Sequence, residues 1–306
     1  SARKRPNRRP SVAFEQGSCT NARPCLHSVV SMLPLSGKTA IVTGASAPNG
    51  IGRAIARRLA QDGAHLVVTD IAGELRTDGA DRSRLDLLDE LVAELSPGEG
   101  KAIAVALDVT SQSDVNACIA ASLGAFGAVD ILVNNAGSLA GSDKFLSTTP
   151  AQWETSFQVN LLGPMMMAQA VIPVMQARGG GRIITIGSTG SLGAEPGFGA
   201  YTAMKHGLVG LTKTIAAEFG PDGILWNTVC PGYIATDMHM AANHRLAAEQ
   251  GLPVEEVRSR RYSSVALRDA GAPMDVAHAV AYLAGPQASY VTGANLPVTG
   301  GVPTGL

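Results

Sequence analysis

A glycine-rich stretch near the start of the patterned region reads Thr43-Gly44-Ala45-Ser46-Ala47-Pro48-Asn49-Gly50-Ile51-Gly52. It follows an apolar run, residues 39 to 42, and opens an amphipathic segment, residues 51 to 62, with helical spacing. Glycines between a strand and a helix let the backbone approach a pyrophosphate, which then binds free N–H groups at the helix N-terminus. The stretch therefore predicts a dinucleotide-binding turn, with cofactor contacts from Gly44, Ser46, Asn49, Gly50 and Ile51.

Short apolar runs alternate with longer amphipathic segments along the rest of the chain. The runs cover residues 39–42, 66–69, 102–107, 131–133, 182–186, 225–229 and 295–298. Helical spacing covers residues 51–62, 84–95, 113–126, 153–178, 200–219 and 274–284. Most runs are apolar on both faces, as parallel strands under helices are. The pattern predicts an α/β fold, with one doubly wound domain over residues 32–306, a mostly parallel sheet and a helical lid at about residues 233–269.

The composition argues against two classes of partner. The 306 residues are 45% hydrophobic and 16% charged, and the formal net charge is −1. The length suits a single α/β domain. Because no run approaches the roughly 20 apolar residues that cross a bilayer, we expect no membrane partner. The net charge gives no overall attraction to nucleic acid, so we expect no nucleic-acid partner either.

Residues 1 to 31 differ in composition from the rest of the chain. They hold six basic residues against one acid, Glu15, and show no apolar periodicity. Such a segment is expected to be disordered. A misplaced start or a vector-derived leader is favoured, ahead of an organelle transit peptide. The protein is accordingly predicted to be cytoplasmic, or mitochondrial if the arm is a transit peptide.

The four cysteines, Cys19, Cys25, Cys118 and Cys230, have no metal-like spacing. Nothing suggests a disulfide framework, so a reducing compartment fits. His239 and His244 likewise lack partners at metal-ligand spacing, and no metal site is predicted.

Polar residues follow three further strands at the sheet edge where open α/β folds bind ligands. Asp70 ends the second strand, where a carboxylate can accept hydrogen bonds from both hydroxyls of an adenosine ribose. It would repel a 2′-phosphate and leave it without a cationic partner, so NAD is favoured over NADP. The alternative is that Asp70 merely caps the next segment. The same reasoning adds Asp108, Val109, Asn135, Ala136 and Gly137 to the cofactor site.

Tyr201 and Lys205 lie four residues apart in a segment with helical spacing, so they share one side of the helix. An unperturbed tyrosine has a pKa of about 10, too high for a base at neutral pH. A nearby ammonium, helped by a cationic nicotinamide, stabilises phenolate, so we expect the pair to lower the pKa of Tyr201. Ser188 ends the fifth strand and can hold a substrate oxygen beside the phenol. A buried amide at Asn160 can hold a water molecule that links Lys205 to solvent.

Together these pieces resemble the short-chain dehydrogenase/reductase family over residues 35 to 301. The resemblance implies a seven-stranded Rossmann sheet, an active site of Ser188, Tyr201, Lys205 and Asn160, and usually a homotetramer. It also implies that Lys205, beside Tyr201, binds the nicotinamide ribose. The residues after the sixth strand would meet the carboxamide: Pro231, Gly232, Ile234 and Thr236. One departure is that five residues separate Gly44 from Gly50 where the family usually has three, so altered contacts to the cofactor are expected.

The leading functional hypothesis is an oxidoreductase that moves a hydride between NAD and a small secondary alcohol or ketone, such as a polyol, a vicinal diol or an acetoin-like compound. The preference for these substrates comes from the long segment after Asp237 and from the sequence at residues 295–301. One alternative is an NADPH-dependent 3-oxoacyl-acyl-carrier-protein reductase. Another is an idle dinucleotide-binding sensor or scaffold. The arginines at 258, 260 and 261 are interpreted as a solvated face or subunit contact rather than a site for an acidic substrate.

Overall fold

A computed structural model of the chain describes residues 33 to 303, with the exception of Asp78 and Pro97. The basic arm predicted at residues 1–31, with Cys19 and Cys25, lies outside the described residues. Its predicted disorder therefore stays a prediction.

The central sheet contains the seven predicted strands, and all its neighbouring pairs are parallel. Their bounds are β1 Thr39–Thr43, β2 His65–Asp70, β5 Ala102–Ala106, β6 Ile131–Asn134, β7 Gly181–Ile186, β8 Ile224–Pro231 and β9 Asn295–Val298, with β3 and β4 in a separate hairpin described below. The order across the sheet is β5-β2-β1-β6-β7-β8-β9. Successive strands are thus added on one side of β1 and then on its other side, as in a doubly wound fold, and the predicted fold class is confirmed.

Helices cover both faces of this sheet. Their bounds are α1 Ile51–Gln61, α2 Arg84–Leu95, α3 Gln112–Phe126, α4 Pro150–Phe157, α5 Gly163–Ala177, α6 Gly199–Phe219, α7 Asp237–Gln250, α8 Val254–Arg261 and α9 Pro273–Ala284. Buried residues of α1, α2 and α9 form one core, and those of α3, α5 and α6 form the other. Strand β1 serves both cores, since Ala40 and Val42 face the first while Ile41 faces the second.

A small antiparallel hairpin between β2 and α2 was not expected from the sequence. It consists of β3, Glu74–Thr77, and β4, Ala80–Ser83. Its strands are polar and mostly exposed, so they give no apolar alternation to detect. The hairpin ends at Ser83, whose hydroxyl accepts a hydrogen bond from the N–H of Asp86 and caps α2.

The helices α4 and α5 are joined by one π-helical turn, Gln158–Leu162. Together they form a helix, Pro150–Ala177, that is long and apolar enough to cross a membrane by those criteria alone. Its residues Val171 and Met175 are fully buried in the core beneath the sheet. The π turn holds Asn160, which fits the frequent placement of such turns at functional sites.

The segment predicted as a lid contains the helices α7 and α8, so the helical excursion is present. Thr236 caps α7 by accepting a hydrogen bond from the N–H of His239, at 3.2 Å. A bridge between Ile234 and Gly271 ties the start of the segment to the chain beyond it. Its role as a lid stays a prediction.

Candidate active site

The residues predicted to act converge on one edge of the sheet. Because all seven strands are parallel, their carboxyl ends meet there. Thr43, Asp70 and Asn134 end β1, β2 and β6, while Ser188 and Pro231 lie at the ends of β7 and β8. The site is thus assembled from five segments that are distant in the sequence.

The glycine-rich turn is held close to the loop after β6. Gly44 has φ of +69°, and a Cβ atom there would lie 3.0 Å from the Cα of Ala136. A Cβ on Gly52 would lie 2.3 Å from the carbonyl oxygen of Gly44, so only glycine fits. The Asn135 amide donates hydrogen bonds to the carbonyl oxygens of Thr43 and Gly44, at 2.8 and 2.9 Å. Asn135 therefore shapes the turn directly.

The N-terminus of α1 fits the pyrophosphate of a dinucleotide. The N-cap residue of α1 is Gly50, and no side-chain hydrogen bond from this position caps the helix. The first turn of the helix contains no acidic residue. The N–H groups of this turn are therefore free to bind an anion, which the helix dipole also favours. Together with the close glycine contacts, this geometry fits the predicted cofactor.

Asp70 is buried at the end of β2, with 8% of its surface exposed. One carboxylate oxygen accepts hydrogen bonds from the N–H and hydroxyl of Ser46, at 3.0 and 2.6 Å. The other accepts from the N–H of Ile71 at 2.9 Å and from Arg84 at 3.2 Å. The expectation that a 2′-phosphate would find no cation here was wrong, because the hairpin brings Arg84 to this carboxylate.

Asp108 and Val109 follow the neighbouring strand, β5; Asp108 forms hydrogen bonds within its own loop, whereas Val109 packs against the start of α5. Asp108 accepts hydrogen bonds from the N–H and hydroxyl of Thr110, at 2.9 and 2.7 Å. Val109 packs against Gly163, where a Cβ atom would lie 2.8 Å from a Val109 methyl carbon. Leu107, just before them, donates its N–H to the carbonyl oxygen of Asp70 at 2.8 Å, so this loop borders the ribose end of the site.

Tyr201 and Ser188 lie side by side near the end of β7. The Ser188 side chain lies close enough to the Tyr201 phenol to favour its ionised form. A Cβ atom on Gly190 would lie 3.6 Å from both the Ser188 Oγ and the Tyr201 ring. Ser188 is oriented by Ser191, whose hydroxyl accepts a hydrogen bond from the Ser188 N–H at 3.1 Å. The two hydroxyls can therefore meet one substrate oxygen.

Lys205 lies one helical turn beyond Tyr201 and is 4% exposed. Its Nζ donates a hydrogen bond to the carbonyl oxygen of Ile186 at 2.8 Å and lies 5.5 Å from the centre of the Tyr201 ring. Burial lowers the pKa of Lys205 to about 8, because the charged form loses its hydration. At neutral pH the side chain remains mainly ammonium beside the phenol.

The predicted lowering of the Tyr201 pKa by Lys205 together with a cationic nicotinamide stays a prediction. Burial raises the pKa of Tyr201, since desolvation of phenolate outweighs the effect of the nearby Ser188 side chain. Lys205 points its ammonium at the Ile186 carbonyl oxygen instead. The spacing in the sequence indicated that the two side chains are close, but it could not indicate how deeply they are buried.

Asn160 is fully buried in the π turn and clamps the loop after β6. Its amide oxygen accepts from the N–H of Ser138 at 3.0 Å, and its amide nitrogen donates to the Ser138 carbonyl oxygen at 2.8 Å and to Ser156 at 3.2 Å. A Cβ atom on Gly137 would lie 3.3 Å from the Asn160 oxygen and 4.0 Å from the Lys205 Nζ. Asn160 and Lys205 thus both approach Gly137, and Asn160 fixes the backbone at the next residue, Ser138. The predicted water link through Asn160 stays a prediction.

The residues predicted to meet the carboxamide lead from β8 toward α7. Pro231 and Ile234 are buried, whereas Gly232 and Thr236 are partly exposed. The N–H of Gly232 donates to the Val298 carbonyl oxygen at 3.0 Å, which ties this loop to β9. Their backbone course places them at the same sheet edge as Tyr201.

The inserted Pro48-Asn49 pair has a partner that the sequence did not indicate. Asn49 donates to the carboxylate of Asp237, from its backbone N–H at 3.1 Å and from its amide at 2.8 Å. Asp237 is the first residue of α7. The insertion therefore joins the glycine-rich turn to the lid segment.

The lid segment also contains a compact polar and aromatic cluster. The Tyr262 hydroxyl is 2.8 Å from the His239 Nε2 and accepts from the amide of Asn243 at 3.1 Å. Arg261 bonds to Asn243 and lies 5.4 Å from the centre of the Tyr233 ring. Burial, with the charges of Arg261 and Arg258, lowers the pKa of His239 to about 4, so its ring is neutral at neutral pH.

The other arginines of the segment pair with neighbouring acids. Arg258 pairs with Glu255 and Asp269, and Arg260 pairs with Glu256. Arg258 and Arg260 are thus held in ion pairs, and the interpretation of the arginines as a solvated face or a subunit contact stays a prediction.

The chain matches known proteins over most of its length. The family model described as enoyl-(acyl carrier protein) reductase matches residues 44 to 303. The 2-(R)-hydroxypropyl-CoM dehydrogenase of Xanthobacter autotrophicus is 37% identical, with 86% of this chain and 97% of that one covered. The 3-oxoacyl-acyl-carrier-protein reductase FabG of Vibrio cholerae is 35% identical, with 88% and 98% covered. A solved 7α-hydroxysteroid dehydrogenase, complexed with NADH and 7-oxo glycochenodeoxycholic acid, superposes with a TM-score of 0.76 at 32% identity, with 89% and 97% covered.

Fold, site geometry and relatives thus agree with one another. The family match covers six of the seven strands of the sheet and the predicted residues that meet at its edge. The chain therefore belongs to the short-chain dehydrogenase/reductase family, and it is an NAD(P)-dependent Rossmann-fold oxidoreductase that acts on CH–OH and C=O groups.

Proposed function

We propose that this enzyme interconverts a small secondary alcohol and its ketone with NAD(H) as the cofactor. The observation that carries the proposal is the meeting of Ser188, Tyr201, Lys205 and Asn160 at the sheet edge that also holds Asp70. Hydroxyls beside a buried ammonium suit proton transfer to or from a carbonyl oxygen. A cofactor bound there supplies or accepts the hydride.

Each side chain has a separate task in this mechanism. Tyr201 gives its proton to the carbonyl oxygen during reduction and takes one from the alcohol during oxidation. Ser188 donates a hydrogen bond to the same oxygen and holds it beside the phenol. Lys205 keeps a positive charge near the phenol, where it stabilises the phenolate left after proton transfer. Asn160 fixes the backbone at Ser138.

The choice of NAD rests on Asp70. Backbone N–H groups of Ser46 and Ile71 fix its two oxygens at the end of β2. A carboxylate held in this way favours ribose hydroxyls, which can donate to it, over a 2′-phosphate, which cannot.

The choice of a small substrate rests on the loop over the phenol. Residues 189–200 are mostly small, and the ring of Phe198 meets the Tyr201 ring edge-on at 6.2 Å between centres. The relative from Xanthobacter autotrophicus is named for a hydroxypropyl substrate, which is a secondary alcohol. A polyol, a vicinal diol or an acetoin-like compound therefore remains the favoured class.

The test is the rate of reduced-nicotinamide formation with NAD and with NADP over a panel of polyols, vicinal diols and hydroxyacyl thioesters. The proposal expects turnover on a diol or polyol with NAD. Turnover confined to thioesters with NADP would replace it by a 3-oxoacyl-acyl-carrier-protein reductase, which is the function named for the relative from Vibrio cholerae. Tight NADH binding without turnover on any substrate would point to an idle binding protein.

We also propose that the enzyme is a homotetramer. An apolar groove runs between α5 and α6, and its floor includes Ile172, Leu211, Ile215 and Phe219. A second copy of the same chain offers a matching pair of helices to cover it. Light scattering of the wild type should give a tetramer mass, whereas Ile215→Glu should give a smaller species. A monomeric wild type at micromolar concentration would contradict this assignment.

A further inference from the structure

The carboxylate of Asp70 is saturated by groups of the chain itself. Each of its oxygens accepts two hydrogen bonds, from the N–H and hydroxyl of Ser46 on one side and from Ile71 and Arg84 on the other. A carboxylate oxygen offers about two acceptor positions. A further donor at Asp70 must therefore displace one of the mobile groups, which are the Ser46 hydroxyl and the Arg84 guanidinium.

Arg84 is placed at this carboxylate by the unexpected hairpin. It is the first residue of α2, and its backbone N–H donates to the carbonyl oxygen of Gly73 at 2.9 Å, which closes the base of the hairpin. Its guanidinium also lies 3.3 Å from the Ser46 hydroxyl. The Arg84 side chain is 25% exposed, against 9% for Asp70, so the cation lies on the solvent side of the pair.

Other cations near this end of the sheet are engaged elsewhere. Arg53 bonds to the Leu87 carbonyl oxygen, Arg57 pairs with Glu94, and Arg82 pairs with Glu90. Among the described residues Arg84 is the cation that pairs with Asp70. Its position makes the local charge of the ribose site close to zero, whereas Asp70 by itself would make it negative.

We propose that Arg84 is a cofactor-specificity residue that lets the ribose site admit a 2′-phosphate in spite of Asp70. The inference rests on the proposed function only in that a nicotinamide dinucleotide occupies this site. A 2′-phosphate beside Asp70 would be repelled by the carboxylate, but it would lie within reach of a guanidinium 3.2 Å from that carboxylate. Arginine binds phosphate oxygens through two parallel hydrogen bonds, which makes the attraction strong and directional.

The consequence is a narrow preference for NAD. When ribose hydroxyls bind Asp70, Arg84 can move outward, because its side chain is partly exposed. When a 2′-phosphate binds, Arg84 can turn from the carboxylate to the phosphate. We therefore expect NADH and NADPH to differ in dissociation constant by no more than about tenfold in the wild type, since the two charges offset one another.

The test measures binding and needs no substrate. NADH and NADPH are titrated by fluorescence onto the full chain, and ADP and adenosine 2′,5′-bisphosphate compete with them. Arg84→Ala should raise the dissociation constant of NADPH by about tenfold or more and that of NADH by less than about threefold. The reason is that only NADPH loses a charge-assisted contact. Arg84→Lys should give an intermediate loss. The matched control Arg82→Ala, in the same hairpin, should change neither value by more than about twofold.

Three results would overturn the inference. They are equal weakening of NADH and NADPH in Arg84→Ala, no change in either, and no measurable NADPH binding by the wild type. If Arg84→Ala does not fold by circular dichroism, Arg84→Lys decides the question, because it keeps the charge but loses the paired hydrogen bonds. Failure of the proposed function would show itself differently, as NADH binding without turnover on any substrate. That outcome would not affect the comparison of NADH and NADPH binding between the wild type and the Arg84 variants.

Discussion

The sheet edge and the lid segment hold their polar side chains in different ways. At the edge, Asn135, Asn160 and Lys205 bond to backbone atoms of other segments, and all three bonds are at least partly buried. In the lid segment, His239 and Asn243 bond mainly to the side chain of Tyr262. The edge is therefore fixed by the fold, whereas the lid segment is held mostly by contacts within itself.

This difference suits the sheet edge to proton transfer and the lid segment to movement. A proton-transfer site benefits from side chains that are already in place before substrate arrives. A segment joined to its surroundings by a few exposed contacts can open at low cost. The exposed bond between Asn49 and Asp237 is one such contact between the two regions.

The largest effect is expected at the edge. Tyr201→Phe should lower kcat/KM by about 1,000-fold, because it removes the proton donor of the mechanism. The Tyr201 ring meets the ring of Phe198 edge-on at 6.2 Å between centres, and a phenylalanine ring can keep this contact. Steady-state rates with NADH give the loss, and NADH titration should show affinity within about twofold of the wild type. Strong residual turnover would remove Tyr201 from the mechanism.

Asn160→Ala tests whether the edge is rigid as a unit. The change leaves the N–H and carbonyl oxygen of Ser138 without their partner in a partly buried place, which costs up to about 1–3 kcal/mol of unfolding free energy for each unpaired group. Activity should fall about 10- to 100-fold as the backbone beside Lys205 shifts. Thermal denaturation and kinetics measure both losses. Gln158→Ala, in the same π turn with a surface bond to Glu154, is the control. Unchanged stability would show that Asn160 is no clamp.

The pH dependence tests the charge on Lys205. Because burial lowers the pKa of Lys205 to about 8, the side chain is mainly ammonium at pH 7 and mainly neutral amine at pH 9. Carbonyl reduction should therefore fall as the pH rises through 8, by about tenfold at pH 9, since the phenolate loses its stabilising cation. Lys205→Met should be much slower and should lack this step. A step of the same size in that variant would assign the titration to another group.

The smallest effect is expected for the contact between the two regions. Asn49→Ala and Asp237→Ala should each speed NADH dissociation by less than about fivefold, because exposed contacts contribute about 1 kcal/mol or less. Stopped-flow displacement of NADH measures the rate. Glu249→Ala, near the other end of α7, is the matched control. If the double variant equals the sum of the single effects, Asn49 and Asp237 do not act as a pair.

The sheet and the site edge were predictable because their signals are local. Seven apolar runs predicted the seven strands, and the spacing of Tyr201 and Lys205 predicted their shared helix face. The hairpin was missed because its polar strands carry no alternation, and the ion pair between Arg84 and Asp70 depends on that hairpin. The burial that raises the pKa of Tyr201 was not predictable, because it depends on packing from other segments.

The contacts of the lid segment were beyond sequence reasoning for a related reason. Asn49 and Asp237 are 188 positions apart, and nothing in either neighbourhood marks the other as a partner. His239 and Tyr262 meet only because α7 and α8 fold back on each other. The sequence located the segment but not the bonds that hold it.

We expect NADH bound at the sheet edge to transfer its hydride to a small carbonyl compound. NADH carrying deuterium at C4 is incubated with the wild-type enzyme and an acetoin-like diketone, and the product is examined by mass spectrometry and NMR. We expect one deuterium on the new carbinol carbon from one face of the labelled cofactor, and almost none with Tyr201→Phe. Intact NADH binding with no labelled alcohol from any ketone of the panel would contradict it.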